Sequence, residues 1–381
     1  MEYPIIKDKL SWEKLRSFPI KRPDMTVAEM RELCVSFFRY AKTALWTPDS
    51  DFFYIRNAKG KEDEMRKGTV YGGLPYIGLA SGNVYRLMDY LDEETGVVNM
   101  ADATRVPKLF GNQCSIGSYW GWARVINSTN HDWTQNMVPK NGFLRVGPYT
   151  YDDNHPGFIP YNGTVPICQA NGQQVMFQSY AAMQPADGLV QYTSAGHVIM
   201  CSCVPHVEYV DGTDEIDGEN SYITIIDQAQ KWLEGTGEQG DAYLYKAGVD
   251  AKRTFQKLFD GSYLPFTFAE FQGTHPIEDT VCAFSHTGQT ITEAELFSAT
   301  VTCNYGISDV YAIVTDGEGK EIYRHAVRAE MANVRELPFV KDAINVFTWG
   351  KPDFAGEPTV EIVAQLGTGE RPTIYRGKLV P

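Results

Sequence analysis

The chain reads as an α+β protein in two parts: a mixed region over residues 1–275 and an all-β region over residues 276–381. Three observations predict this division. Helical periodicity dominates the first 125 or so residues, as in "TVAEMRELCVSFFRYAKTALW". Apolar runs with strand character then follow in the middle of the chain, as in "GHVIMCSCV" and "SYITIID". Beyond about residue 275, short strand-like runs separated by turn residues take over, which is the pattern of a β-sandwich of about 100 residues.

The elements can be justified in order. Thr26 precedes apolar residues at helical spacing and can cap a helix over 26–46. "SGNVYRLMDYLDEE" predicts a second helix started by Ser81 or Asn83, and a third begins at Ser115. Residues 127–170 dissolve into turn residues and aromatics, too long for an ordinary connection, and read as a functional insertion. "QQVMFQSY", "GHVIMCSCV" and "SYITIID" read as strands. In the last part "ELFSATVTCNY", "DVYAIVTDGEGKEIYRHAV", "NVFTWG", "TVEIVAQLG" and "PTIYRGKLV" read the same way, with "DGEG" as a hairpin turn. "VRAEMANVRE" is the one stretch there with helical character.

Composition excludes several function classes. A net charge of −14 with no basic stripe argues against tracking nucleic-acid phosphates. No apolar run reaches the ~18 residues of a membrane span. The first 25 residues are charged throughout and lack a signal peptide's apolar core. The expectation is a cytoplasmic chain, or an extracytoplasmic one whose signal was removed before this numbering begins. The seven cysteines are scattered and odd in number, so at least one is unpaired and most are expected as buried apolar residues.

Cys114 stands apart because "FGNQCSIGSYWGWARV" places it where a helix begins. A helix N-terminus favours the thiolate, the reactive form of cysteine. A nucleophile needs a base, and His197, opening a strand after Ser-Ala-Gly, is the best placed of seven histidines. A third group must hold that ring. Pairing residues 198–204 end to end with 221–227 sets Val198 opposite Asp227 and His197 opposite Gln228. A slip by one residue exchanges the two candidates, so Asp227 and Gln228 both remain.

The order of these residues resembles the NlpC-type cell-wall peptidases, bacterial members of the papain-like cysteine hydrolases. "YGGLPYIG" is similar to the family's glycine-any-proline-tyrosine element and "NQCSIGSYWGWARV" to its nucleophile helix. "MQPADGLVQY" and "GHVIM" resemble the element before the base and the start of the base's strand. The resemblance covers roughly residues 68–230. Gln113 stands where the family commonly has Asp, Ile116 where it has Gly, and Ala186 in place of the usual Gly.

The resemblance implies a papain-like hydrolase domain followed by an immunoglobulin-like β-sandwich, and amide cleavage without a cofactor. Cys114 would attack, His197 would carry the proton, and Tyr76 with the Cys114 N–H would face the oxyanion. Ser115 matches the family's residue after the nucleophile. Trp133, Tyr149, Tyr151 and His155 of the insertion would wall the cleft. The expected substrate is a peptide of the bacterial cell wall. An inactive scaffold that binds cell-wall fragments or a partner protein is the alternative, as is acyl transfer to an amine.

Other motifs carry less. Cys201, Cys203 and His206 in "CSCVPH" lack a second ligand pair, and the two cysteines would share one strand face in the core, so no metal site is expected. Asp211, Asp214 and Asp217 miss the calcium-loop spacing and read as a solvated hairpin tip.

Overall fold

The structure is a computed structural model that describes residues 6, 8–55, 60–129, 131–151, 157–159, 163–193, 195–228, 233–234, 243–244, 249–340 and 357–380. It is a mixed α+β protein with several sheets.

Helix α1 (Val27–Thr43) starts at Thr26 with a reciprocal capping box: Thr26 Oγ1 accepts from the Glu29 N–H, and Glu29 accepts from the Thr26 N–H. Its buried face is Met30, Leu33, Cys34, Phe37 and Phe38, at the three- and four-residue spacing of one helical stripe. The second predicted helix shrinks to Val84–Met88, capped by Asn83, because Asp89 and Tyr90 turn away to meet Arg328.

Helix α2 (Cys114–Trp122) is buried on every side. Gly117 and Gly121 let it lie flat. A Cβ at 117 would stand 3.0 Å from Gln228, and one at 121 only 2.9 Å from Met200 and Phe38. This close approach brings the helix start, and Cys114 with it, down onto the central sheet.

That sheet has six antiparallel strands among the described residues: β1 (Phe143–Arg145), β2 (Gly188–Tyr192), β3 (Gly196–Cys201), β4 (Tyr222–Asp227), β5 (Ala251–Thr254) and β6 (Leu264–Phe268). Their order is β5-β4-β3-β2-β6-β1. One sequence expectation changes here. "QQVMFQSY" forms helix α3 (Gln173–Ala181) instead of a strand; Met176 and Tyr180, four apart, both face the core, so helical burial overrides β propensity. Residues 127–170 supply β1, which pairs with β6 at one edge of the sheet.

Ala186 adopts φ +69°, a left-handed conformation that glycine reaches without penalty. Its backbone is fixed on both sides, by Ala186 N–H to Cys201 O and by the Trp122 indole N–H to Ala186 O at 2.7 Å.

The C-terminal region holds a three-stranded sheet (Cys282–Phe284, Thr300–Cys303, Glu336–Pro338) and a five-stranded sheet (Thr290–Thr292, Ile307–Thr315, Glu321–Arg328, Thr359–Leu366, Thr373–Val380). Val301 and Leu337 of the first and Val310, Ile362 and Leu379 of the second belong to one apolar cluster. "DGEG" turns between the two strands it was expected to join, with Gly319 at φ +84°. "VRAEMANVRE" holds strand and turn residues and no helix, while "NVFTWG" lies outside the described residues. Cys282 and Cys303, directly opposite on neighbouring strands, form a disulfide, which removes two cysteines from the buried-thiol reading.

A buried ion cluster joins the two regions. Arg86 reaches Asp309 at 3.0 Å and the carbonyl oxygens of Ser308 and Ala329, and Arg328 bridges Asp309 at 2.9 Å and Asp89 at 2.6 Å.

Candidate active site

Cys114 occupies the first turn of α2. Gln113 gives that helix no side-chain cap, and its first turn carries no acidic residue, so the unpaired N–H groups keep their positive field for the thiol. The preceding residue pair is anchored: Asn112 forms an isolated parallel bridge with Tyr76, with Ile77 N–H to Asn112 O and Asn112 N–H to Pro75 O. Tyr76 is thereby held against the segment that delivers Cys114, and it is buried.

His197 stands at the start of β3, and the β3–β4 register decides its partner. Asp227 pairs with Ile199, Ile226 with Met200 and Ile225 with Cys201. This differs by one residue from end-to-end pairing. The cause is that β3 stops at Cys201, and the chain then kinks so that His206 bridges Tyr222. Asp227 therefore lies on the same sheet face as His197, on the diagonal. Its Oδ1 sits 3.0 Å from His197 Nε2. Gln228, the other candidate, turns to the opposite face. There it accepts from Lys42 Nζ and donates to Leu74 O at 3.1 Å.

The same imidazole acts electrostatically on Cys114, whose Sγ donates to Gly196 O at 3.9 Å. Burial opposes ionisation of Cys114, yet the His197 charge, the His197 hydrogen bond and the Val198 N–H together bring its pKa below the usual thiol value, against a small opposing push from Asp227. Burial likewise opposes a charged imidazole, but Asp227 and Cys114 hold His197 well above its ordinary pKa. Other buried thiols move the opposite way: desolvation pushes Cys34 and Cys201 up, and Cys168 up to about 12. Cys114 is thus a buried cysteine whose pKa moves down beside an imidazole whose pKa moves up.

The remaining expected site residues fall in different places. Ser115 is buried in the first turn of α2. Trp133 directs its indole N–H to Met331 Sδ at 3.3 Å, in the C-terminal region. Tyr149 and Tyr151 are core residues rather than cleft walls, the Tyr149 hydroxyl donating to Pro265 O. His155 lies outside the described residues. Cys201 is buried in the core, while Cys203 lies past the end of β3 and accepts from the Thr224 N–H, so the two do not share a strand face.

Sequence reasoning missed two residues. Lys42 is buried beneath the site, and desolvation lowers its pKa to about 7 against the stabilising charge of Asp227. The available signal was a cation four residues after Phe38 on the apolar stripe of α1. Tyr263 places its ring edge-on to His197, centroids 6.5 Å apart. That proximity depends on the pairing of β6 with β2, which no local pattern encodes.

Compared with known proteins, the chain matches no family model, no curated protein and no solved structure.

Proposed function

We propose that the chain is a cysteine hydrolase that cleaves an amide bond by acyl transfer, with residues 1–275 as a papain-like, NlpC-type unit and residues 276–381 as an immunoglobulin-like accessory unit. The observation that carries this reading is one imidazole whose charge acts on a thiol at a helix start and whose Nε2 lies 3.0 Å from a buried carboxylate. In this reading Cys114 attacks the carbonyl carbon and His197 passes its proton to the departing nitrogen. Asp227 holds the ring in the orientation and charge state that the transfer needs. The Cys114 N–H and the Tyr76 hydroxyl face the developing oxyanion, each such donor being worth ~3–4 kcal/mol in the barrier.

Short peptides of the bacterial cell wall are the proposed substrates, on the strength of the motif order around Tyr76, Cys114 and His197. The test is incubation of the protein with a soluble digest of bacterial peptidoglycan, products being followed by mass spectrometry. New amine and carboxyl termini formed by the parent and not by Cys114→Ala support the reading. Equal cleavage by the two proteins removes it.

A further inference from the structure

The sheet register extends the candidate site beyond the thiol and its base. Gln191 of β2 pairs directly with His197 of β3, and Leu264 of β6 pairs with Val190. Continuing that register sets Tyr263 beside Gln191, so His197, Gln191 and Tyr263 form one row across three strands. Directly paired residues point to the same sheet face. All three are only half-buried, unlike their apolar neighbours. Ser262, just before Tyr263, takes φ +55°, an unusual backbone for a residue with a Cβ, and this turns the chain so that the Tyr263 ring meets His197 edge-on.

Beside this row opens a cleft of about 560 Å³ lined by Gln169, Gln191, Thr193, Asp260, Ser262 and Tyr263, among others. Its polar lining is carboxamide and hydroxyl, with Asp260 as the single charged side chain among the described lining residues. Gln191 Oε1 accepts from Thr193 Oγ1 at 2.9 Å. Neither the Gln191 amide nitrogen nor the Tyr263 hydroxyl has a partner among the described residues. Helix α2, which carries Cys114, packs over β3 and β4, while the cleft is lined from β2 by Gln191 and from the start of β6 by Tyr263.

The geometry points to this cleft as the subsite for the amine side of the scissile bond, selective for an uncharged residue bearing a carboxamide or hydroxyl group. The inference rests on the hydrolase reading above. In acyl transfer the Sγ–C bond forms, the C–N bond breaks, and the proton held by His197 goes to the departing nitrogen. Water then adds to the thioester carbon and releases the acid and the thiol. The departing part of the substrate must therefore lie against the imidazole, where the row His197–Gln191–Tyr263 leads into the cleft. Donors and acceptors of both kinds suit carboxamides and hydroxyls, and Asp260 at the rim disfavours a carboxylate.

Two arms test it. In the first, synthetic peptides share one acyl side, taken from a cleaved cell-wall peptide, and carry Gln, Ser, Leu or Glu on the amine side. The expected kcat/KM for Gln and Ser exceeds that for Leu and Glu by about 10-fold, the value of one good hydrogen bond or two. Gln191→Leu and Tyr263→Phe should each shrink that ratio, with circular dichroism confirming that both variants fold. Equal rates for all four peptides, or a ratio that survives both substitutions, overturns the assignment and leaves the hydrolase intact. In the second arm, binding of glutaminamide, serinamide and leucinamide to Cys114→Ala is measured by calorimetry, with no turnover required. Tighter binding of the first two, lost on adding Gln191→Leu, supports the subsite even if no peptide is cleaved; indistinguishable binding overturns it.

Discussion

His197 and Asp227 face each other diagonally across two antiparallel strands, Nε2 to Oδ1 3.0 Å, because Asp227 pairs with Ile199 and not with Val198. One residue of register separates this arrangement from one in which Gln228 would approach the ring. The two neighbours consequently have different work to do.

Asp227→Asn should lower kcat by about 10²–10⁴-fold, the usual range for loss of positioned proton transfer, with little change in KM. Gln228→Leu should instead lower stability by about 1–3 kcal/mol, since it strips partners from buried Lys42 and from Leu74 O. Steady-state kinetics on cleaved peptides and urea denaturation of both variants check the pair. The opposite pattern, with Gln228 controlling kcat, contradicts the register argument.

Lys42 gives a pH signature. Burial favours its neutral amine, so the folded chain releases the proton near pH 7, while the unfolded chain holds it to about pH 10.4. Between those values the unfolded state binds more protons, and stability from this group rises with pH. Lys42→Met removes that dependence. The difference in unfolding free energy, parent minus variant, should climb by about 1.4 kcal/mol per pH unit above pH 7. A difference that stays flat from neutral to alkaline pH shows that the ammonium remains charged inside the fold.

Arg86 tests the seam between the two regions. Its guanidinium is buried and serves Asp309, Ser308 O, Ala329 O and Ser81 O. Arg86→Ala should cost about 3–5 kcal/mol, the range for breaking a buried pair from one side. Chemical denaturation followed by tryptophan fluorescence measures it. A loss below about 1 kcal/mol means that Arg328 alone carries Asp309.

Much of the candidate site was legible because its parts are local. A capping threonine, a cysteine at a helix start and a histidine at a strand start each announce themselves within a few residues. The choice between Asp227 and Gln228 was not legible, because it depends on where β3 stops, and the kink after Cys201 has no clear local signal. Tyr263 was hidden for a related reason: strands distant in sequence bring it to His197. The helix at 173–181 was misread because "VMFQSY" is rich in β formers, and only tertiary burial of Met176 and Tyr180 shows the helical face. The disulfide escaped because Cys282 and Cys303 become cross-strand neighbours only once the sheet is built.

The central claim is that Cys114 and His197 exist as a thiolate–imidazolium pair. The most direct measurement is the ultraviolet thiolate absorbance of the parent minus that of Cys114→Ser, followed across pH. The account predicts a difference signal that rises at a lower pH than that of a free thiol, whose pKa is about 8.5. That signal should disappear in His197→Ala. A difference signal that emerges only above about pH 8 and ignores His197 would show a plain buried thiol, and the hydrolase reading would fall with it.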